Sequence, residues 1–145
     1  MTLEVEGLRV PEEDRVSLVH ALLGVTEGPG EVALVGRAAR YAPGLASRIP
    51  GLELVAIHPA TLDWTESPGV SRLVCGTRLP FMDRVFRGVV LEGPVTREGL
   101  REAARVLGRG HRTVVLDAPA EAAPTLMAAG LMVGVDQDGV VVAHR

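Results

Sequence analysis

Short runs of Val, Leu, Ile and Ala recur along this chain, and most are followed by a stretch with helical spacing. The runs are "EVALVG" (31–36), "LELVAI" (52–57), "SRLVCG" (71–76), "RGVVLEG" (87–93) and "RTVVLDAP" (112–119). Runs with little polar alternation belong to strands covered on both faces, the condition of a parallel sheet flanked by helices. The pattern predicts an α/β fold with one largely parallel sheet, in a single domain spanning residues 1–145. With 145 residues and 47% hydrophobic content, the chain is long enough to bury the core such a sheet needs.

The connecting segments carry cap and turn signals. Pro11 suits the first turn of a helix, Glu12, Glu13 and Asp14 complement its positive end, and Gly24 stops it. Val16, Val19 and Leu23 then share one buried stripe. "RYAPGLASRIP" supplies a second helix despite Pro43 and Gly44, and "HPATLDWTESPGV" has room for a turn or two. Thr96 caps a helix through "REGLREAARVL", whose Leu100, Ala103, Ala104 and Leu107 face one side before Gly108 ends it. Asp117 caps the turn into a short helix through "EAAPTLMAAG". Two last strands then join at Asp138-Gly139, a hairpin signal.

Composition narrows the function classes. A net charge of −3 gives no general reason to expect a nucleic-acid or membrane surface. No apolar run approaches the roughly 18 residues of a membrane span, and the alternation of acidic and apolar residues in Met1 to Leu8 does not read as a signal peptide. The lone Cys75, placed in an apolar strand as inert core, suits a reducing cytoplasm. All 15 basic residues are arginine, with no lysine and no asparagine, as a GC-rich genome dictates and a thermophile favours. A mean hydropathy of +0.24 in so short a chain points to apolar surface shared with another subunit, such as a homodimer. His20, His58, His111 and His144 show no metal-ligand spacing.

The order of elements, closing in a hairpin after the fifth strand–helix unit, resembles the class I S-adenosylmethionine-dependent methyltransferases, especially the small type 11 group. The carrier is Leu79 to Pro119, "LPFMDRVFRGVVLEGPVTREGLREAARVLGRGHRTVVLDAP". Leu79, Pro80, Phe81, Asp83 and Phe86 match the family's approach to strand four, and Ala104 to Leu107 with Gly110 match its approach to strand five. The likeness keeps good register from about Glu31 onward. It implies a Rossmann-like sheet in the order 3-2-1-4-5-7-6 with the last strand antiparallel, and a ligand crevice beyond the carboxyl ends of strands one and four. Gly36, His58, Thr77 and Glu92 are expected around that crevice.

The family's cofactor motif is an acid followed by three alternate glycines. On "VALVGRAAR" the acid becomes Leu34, the glycines become Gly36, Ala38 and Arg40, and one glycine of three remains. The ribose-binding acid at the end of strand two becomes His58, which offers one acceptor where a carboxylate offers two. The adenine-contacting Asp after strand three becomes Thr77, next to Arg78, and the Asp before strand four becomes Arg87. Four acidic positions replaced by Leu, His, Thr and Arg predict a degenerate member that holds no cofactor and serves a structural, regulatory or partner-binding role. Short connections throughout also leave nothing that reads as a lid.

Two rival readings use the same positions. An active methyltransferase would bind S-adenosylmethionine across Gly36, Ala38, His58, Thr77 and Arg78, with Glu92 at the end of strand four as general base; the alternative for Glu92 is a solvated loop acid. An anion or nucleotide binder would use Arg37, Arg40 and Arg78 in place of the lost acids. Trp64 reads as a loop aromatic packed on the sheet edge, with stacking on an adenine or a partner as the alternative. The cations of "RVLGRGHR" lie at the negative end of a helix, where they stabilise it, and they also suit an anion.

Overall fold

The apolar runs lie side by side in one seven-stranded sheet. The computed structural model describes residues 4–5, 8–9 and 11–145. A short antiparallel pair, β1 (Glu4–Val5) and β2 (Leu8–Arg9), precedes helix α1 (Glu13–Leu23). Then come β3 (Glu31–Gly36), a 3-10 turn (Arg37–Tyr41), α2 (Ala42–Arg48), β4 (Glu53–Ile57), a second 3-10 turn (Pro59–Asp63) and β5 (Val70–Leu73). The chain continues through β6 (Phe86–Glu92), α3 (Arg97–Val106), β7 (Leu107–Leu116), α4 (Ala122–Ala128), β8 (Met132–Gln137) and β9 (Val140–His144).

The sheet order is β5-β4-β3-β6-β7-β9-β8. Strands β3 to β7 pair in parallel, and β9 runs antiparallel to both neighbours. Counted from β3, this is the expected order 3-2-1-4-5-7-6. Because successive strand residues face opposite sides, Leu34, Val90 and Val114 join the core under α1 and α2, while Ala33, Val89 and Val115 join the core under α3 and α4. Each such valine or leucine, fully buried, contributes roughly 1.5–3 kcal/mol. Gly44 lets α2 approach α1: a Cβ there would lie 2.9 Å from Val16 Cγ1.

Several boundaries differ from the sequence expectation. Pro11 stands outside α1, with Glu12 extended at the N-cap; Gly24 does stop the helix, at φ 70 with its N–H bonded to His20 O. Thr96 caps α3 by accepting from Gly99 N, but Gly108 does not end it. The helix stops at Val106 and runs straight into β7, where Arg145 takes the place of a glycine stop by donating to Ala104 O and Leu107 O. Asp117 is not the cap of α4, since Glu121 holds that position; Asp117 sits in the left-handed region at φ 49, and the next N–H, of Ala118, bonds to Gly139 O. The third strand is shorter than "SRLVCG": β4, its one partner, ends at Ile57 opposite Leu73, so Val74 and Cys75 run on beyond the ladder. Cys75 is therefore half-buried outside the strand, packed against the α3-side core, and burial raises its thiol pKa. Asp138 and Gly139, both at positive φ, form the expected two-residue hairpin turn.

Candidate functional site

β3 and β6 end together, with Gly36 paired to Glu92. The chain leaves β3 toward β4 and leaves β6 toward β7, so the gap beyond this pair is the switch point of the sheet. Gly36 has φ 71 and ψ −138, and a Cβ there would lie 2.7 Å from Glu92 O. Only glycine allows that turn and that approach. The 3-10 winding that follows brings Arg40 and Tyr41 back over the end of β6.

There Glu92 is held on every side. Its Oε2 accepts from Arg15 Nη2 at 3.0 Å, from Arg40 Nη2 at 3.1 Å and from Tyr41 Oη at 3.0 Å, and its Oε1 accepts from Arg40 Nε at 3.1 Å. Arg40 Nη2 also donates to Tyr41 Oη, and its guanidinium lies 5.0 Å from the centre of that ring. The Glu92 side chain is 0% exposed, against 15% for Arg40 and 38% for Arg15. A buried carboxylate is tolerable only when paired and hydrogen-bonded, as this one is. Burial first, and then the charge of Glu92, raise the pKa of the Tyr41 phenol, so its proton stays in place to donate. Glu92 is thus a fully buried strand-end acid that accepts four hydrogen bonds, and not the solvated loop acid that its type suggested.

Beside this cluster lies a cleft of about 160 Å³, lined among others by Gly36, Gly76, Thr77, Leu91, Glu92 and Thr96. Gly36, Thr77 and Glu92 therefore share one crevice as expected. His58 does not line it. Its Nδ1 accepts from Ala60 N at 2.9 Å, capping the second 3-10 turn, and burial lowers its pKa, favouring the neutral ring that this bond needs. Ala38 is fully buried in the core, and so is Leu34 at the position of the family's first acid. Arg37, Thr77 and Arg78 are exposed.

Arg87 is at the wrong end for the crevice: it is the second residue of β6, at the strand's foot, donating to Glu27 O and Pro29 O. The replacements at the crevice side are therefore three and not four. Larger hollows lie elsewhere, one of about 430 Å³ beside Trp64 and one of about 590 Å³ between α3 and α4. Trp64 packs half-buried against the α2-side core. Among the described residues no group of three or more His, Cys, Asp or Glu gathers to hold a metal, and no helix is long and apolar enough to cross a membrane.

Two members of the cluster, Arg15 and Tyr41, escape a reading of the sequence. Arg15 precedes the first buried position of an amphipathic helix and looks like any solvated cation. The available signal is the pairing of an arginine at the motif's third glycine with an acid at the end of strand four, two opposite charges brought to one place by the fold.

No protein-family model matches the chain, and no curated protein does. Solved structures do. A chain from the complex between the Trm112 methyltransferase activator of Haloferax volcanii and a protein named as a methyltransferase superposes with a TM-score of 0.68 at 19% identity, over 91% of each chain. Geranyl diphosphate C-methyltransferase from Streptomyces coelicolor A3(2) gives a TM-score of 0.73 at 11% identity, over 92% of this chain and 77% of that one. A protein named as a methyltransferase of an antibiotic biosynthesis pathway in Anabaena variabilis gives 0.62 at 22% identity; the match covers 74% of this chain but only 46% of that one. This chain has the fold of the class I S-adenosylmethionine-dependent methyltransferases.

Proposed function

We propose that this chain is a methyltransferase-fold protein that holds no S-adenosylmethionine and works by binding a protein partner. The observation that carries the reading is the grip of Arg15, Arg40 and Tyr41 on Glu92. Glu92 is the one acid lining the crevice; Oε2 accepts three hydrogen bonds, Oε1 accepts one, and the side chain is 0% exposed, so the lone pair left on Oε1 meets no solvent. A general base needs a free lone pair facing the reacting proton, and an acid that orients a ribose or an ammonium needs the same. The residues at the crevice therefore do not fit the cofactor. The cleft of about 160 Å³ also falls below the roughly 300–1,000 Å³ of small-molecule sites. The existence of a related fold in complex with an activator protein supports a role exercised through a partner.

One observation favours an active enzyme: the glycine at the end of β3 is retained, at φ 71 and lining the crevice. The anion-binding reading loses Arg40, which is spent on Glu92, and retains only the exposed Arg37 and Arg78. Thermal unfolding in excess S-adenosylmethionine, S-adenosylhomocysteine, ATP or buffer separates the three. The partner-binding reading predicts the same midpoint in all four. A rise with either sulfur nucleoside supports the enzyme, and a salt-sensitive rise with ATP supports the anion site.

A further inference from the structure

At the end of the sheet opposite the crevice, positive charge gathers on the side of β6, β7 and β9, and the fold uses only part of it. Six of the 15 arginines sit there: Arg84 and Arg87 around the start of β6, Arg105 on the last turn of α3, Arg109 and Arg112 in β7, and Arg145 after β9. Asp83 and Glu102 both bond Arg105. Arg87, Arg112 and Arg145 hydrogen-bond main-chain oxygens, of Glu27 and Pro29, of Leu22, and of Leu107 and Ala104, so their charge is not cancelled by a carboxylate. Glu27, Glu31 and Glu53 lie toward the β3 and β4 side of this end, away from Arg84 and Arg109. The cations are close enough to feel one another: burial, and then Arg84 and Arg109, lower the pKa of Arg145. The negative end of α3 accounts for cations on its own last turn. It also accounts for Arg145, which bonds Ala104 O and Leu107 O, but not for Arg84 and Arg109.

The segment leading into β6, residues 79–85, presents this charge together with apolar surface. Arg84 has φ 58, uncommon outside glycine, and its N–H is fixed to Arg105 O at 2.9 Å. Arg105 also donates to Phe81 O and Leu79 O, which clamps the approach. On either side of Arg84 stand Met82, 82% exposed, and Val85, 43% exposed. Arginine and methionine are enriched in the cores of protein interfaces, where aspartate, glutamate and lysine are depleted.

We propose that this foot of the sheet, with Arg84, Arg109 and Arg145 flanked by Met82 and Val85, docks an acidic polypeptide segment that also carries apolar side chains. It deepens the partner-binding reading and rests on it. A polypeptide fits better than a nucleic acid for two reasons. Phe81 and Phe86 near the segment are half-buried and buried and meet edge to face with centroids 4.8 Å apart, leaving no exposed ring for a base to stack on. The chain's net charge of −3 also repels a long polyanion beyond the patch itself.

The test is fluorescence anisotropy with the full chain and three labelled probes: a glutamate peptide interrupted by leucines, an all-glutamate peptide, and oligouridine. The expected order of affinity is leucine–glutamate peptide, then all-glutamate peptide, then oligouridine, with binding weakened by salt. Arg84→Glu with Arg109→Glu lowers affinity for the first probe by roughly tenfold or more, and Met82→Ser lowers it for the first probe but not the second. Arg97→Glu with Arg101→Glu, beside the hollow between α3 and α4, leaves it unchanged. No binding of either peptide, tighter binding of oligouridine, or indifference to the Arg84 and Arg109 reversal overturns the proposal. Salt dependence and probe order are read on the unmodified chain, so a variant that fails to fold does not rescue it. None of these outcomes depends on whether S-adenosylmethionine binds the opposite end, which the thermal measurements read separately.

Discussion

Arg40 and Glu92, 52 residues apart in the chain, meet as a fork: Nε lies 3.1 Å from Oε1 and Nη2 lies 3.1 Å from Oε2. The arginine stands where a cofactor-binding member of the fold would have a glycine, and the acid stands where such a member has groups that face a ligand. The contact buries the Glu92 carboxylate at the edge of the crevice.

Breaking one half of this pair leaves an uncompensated charge. Glu92→Leu and Arg40→Met, each alone, are expected to destabilise the chain by about 3–5 kcal/mol, the cost of orphaning a buried ion. Part of the loss returns in the double variant, because neither charge is then left behind. A double-mutant cycle by urea denaturation checks this; strictly additive losses would show that the two residues do not act as a unit.

Tyr41 gives the pair a pH signature. Its folded pKa lies above the ordinary value of 10.0, because of burial and then the charge of Glu92. The unfolded phenol therefore ionises first as pH rises. The stabilisation is full below pH 10 and is lost as pH climbs through the folded value. Unfolding free energy is expected to fall over that alkaline range, and Tyr41→Phe removes this component. An unchanged alkaline slope in the variant contradicts it.

Gly36→Ala places a Cβ 2.7 Å from Glu92 O at a φ of 71. The expected loss is about 1–3 kcal/mol from backbone strain, before any relaxation of the end of β6. Gly76→Ala, where a Cβ meets nothing within 4 Å, is the matched control. Chemical denaturation of the two variants side by side gives the comparison.

Thr113 is fully buried in β7, and its hydroxyl has no hydrogen-bond partner among the described residues. An unmatched buried hydroxyl costs roughly 1–3 kcal/mol. The isosteric Thr113→Val is therefore expected to raise stability by about 1 kcal/mol, read as a higher urea midpoint with the same slope.

The sheet was legible in the sequence because its strands are buried on both faces, so "VALVG", "VVLEG" and "TVVLDAP" read as strands without competition. The order of strands came through the family likeness, carried by Leu79 to Pro119. Boundaries set by contacts distant in sequence were not legible. The end of α3 depends on Arg145, 39 positions after Val106, and the short third strand depends on where β4 stops. The site was half legible. Gly36, Thr77 and Glu92 do share a crevice, but burial of Ala38, capping by His58 and the remote place of Arg87 follow from packing that spacing does not encode. The type and place of Glu92 suggest a general base or a loop acid, when its setting comes from Arg15, Arg40 and Tyr41.

Isothermal titration of the purified chain with S-adenosylhomocysteine tests the central claim most directly. With Glu92 held by two guanidiniums and a phenol beside a cleft of about 160 Å³, the account predicts no saturable heat at micromolar ligand. One-to-one binding in that range, abolished by Gly36→Ala, would contradict it.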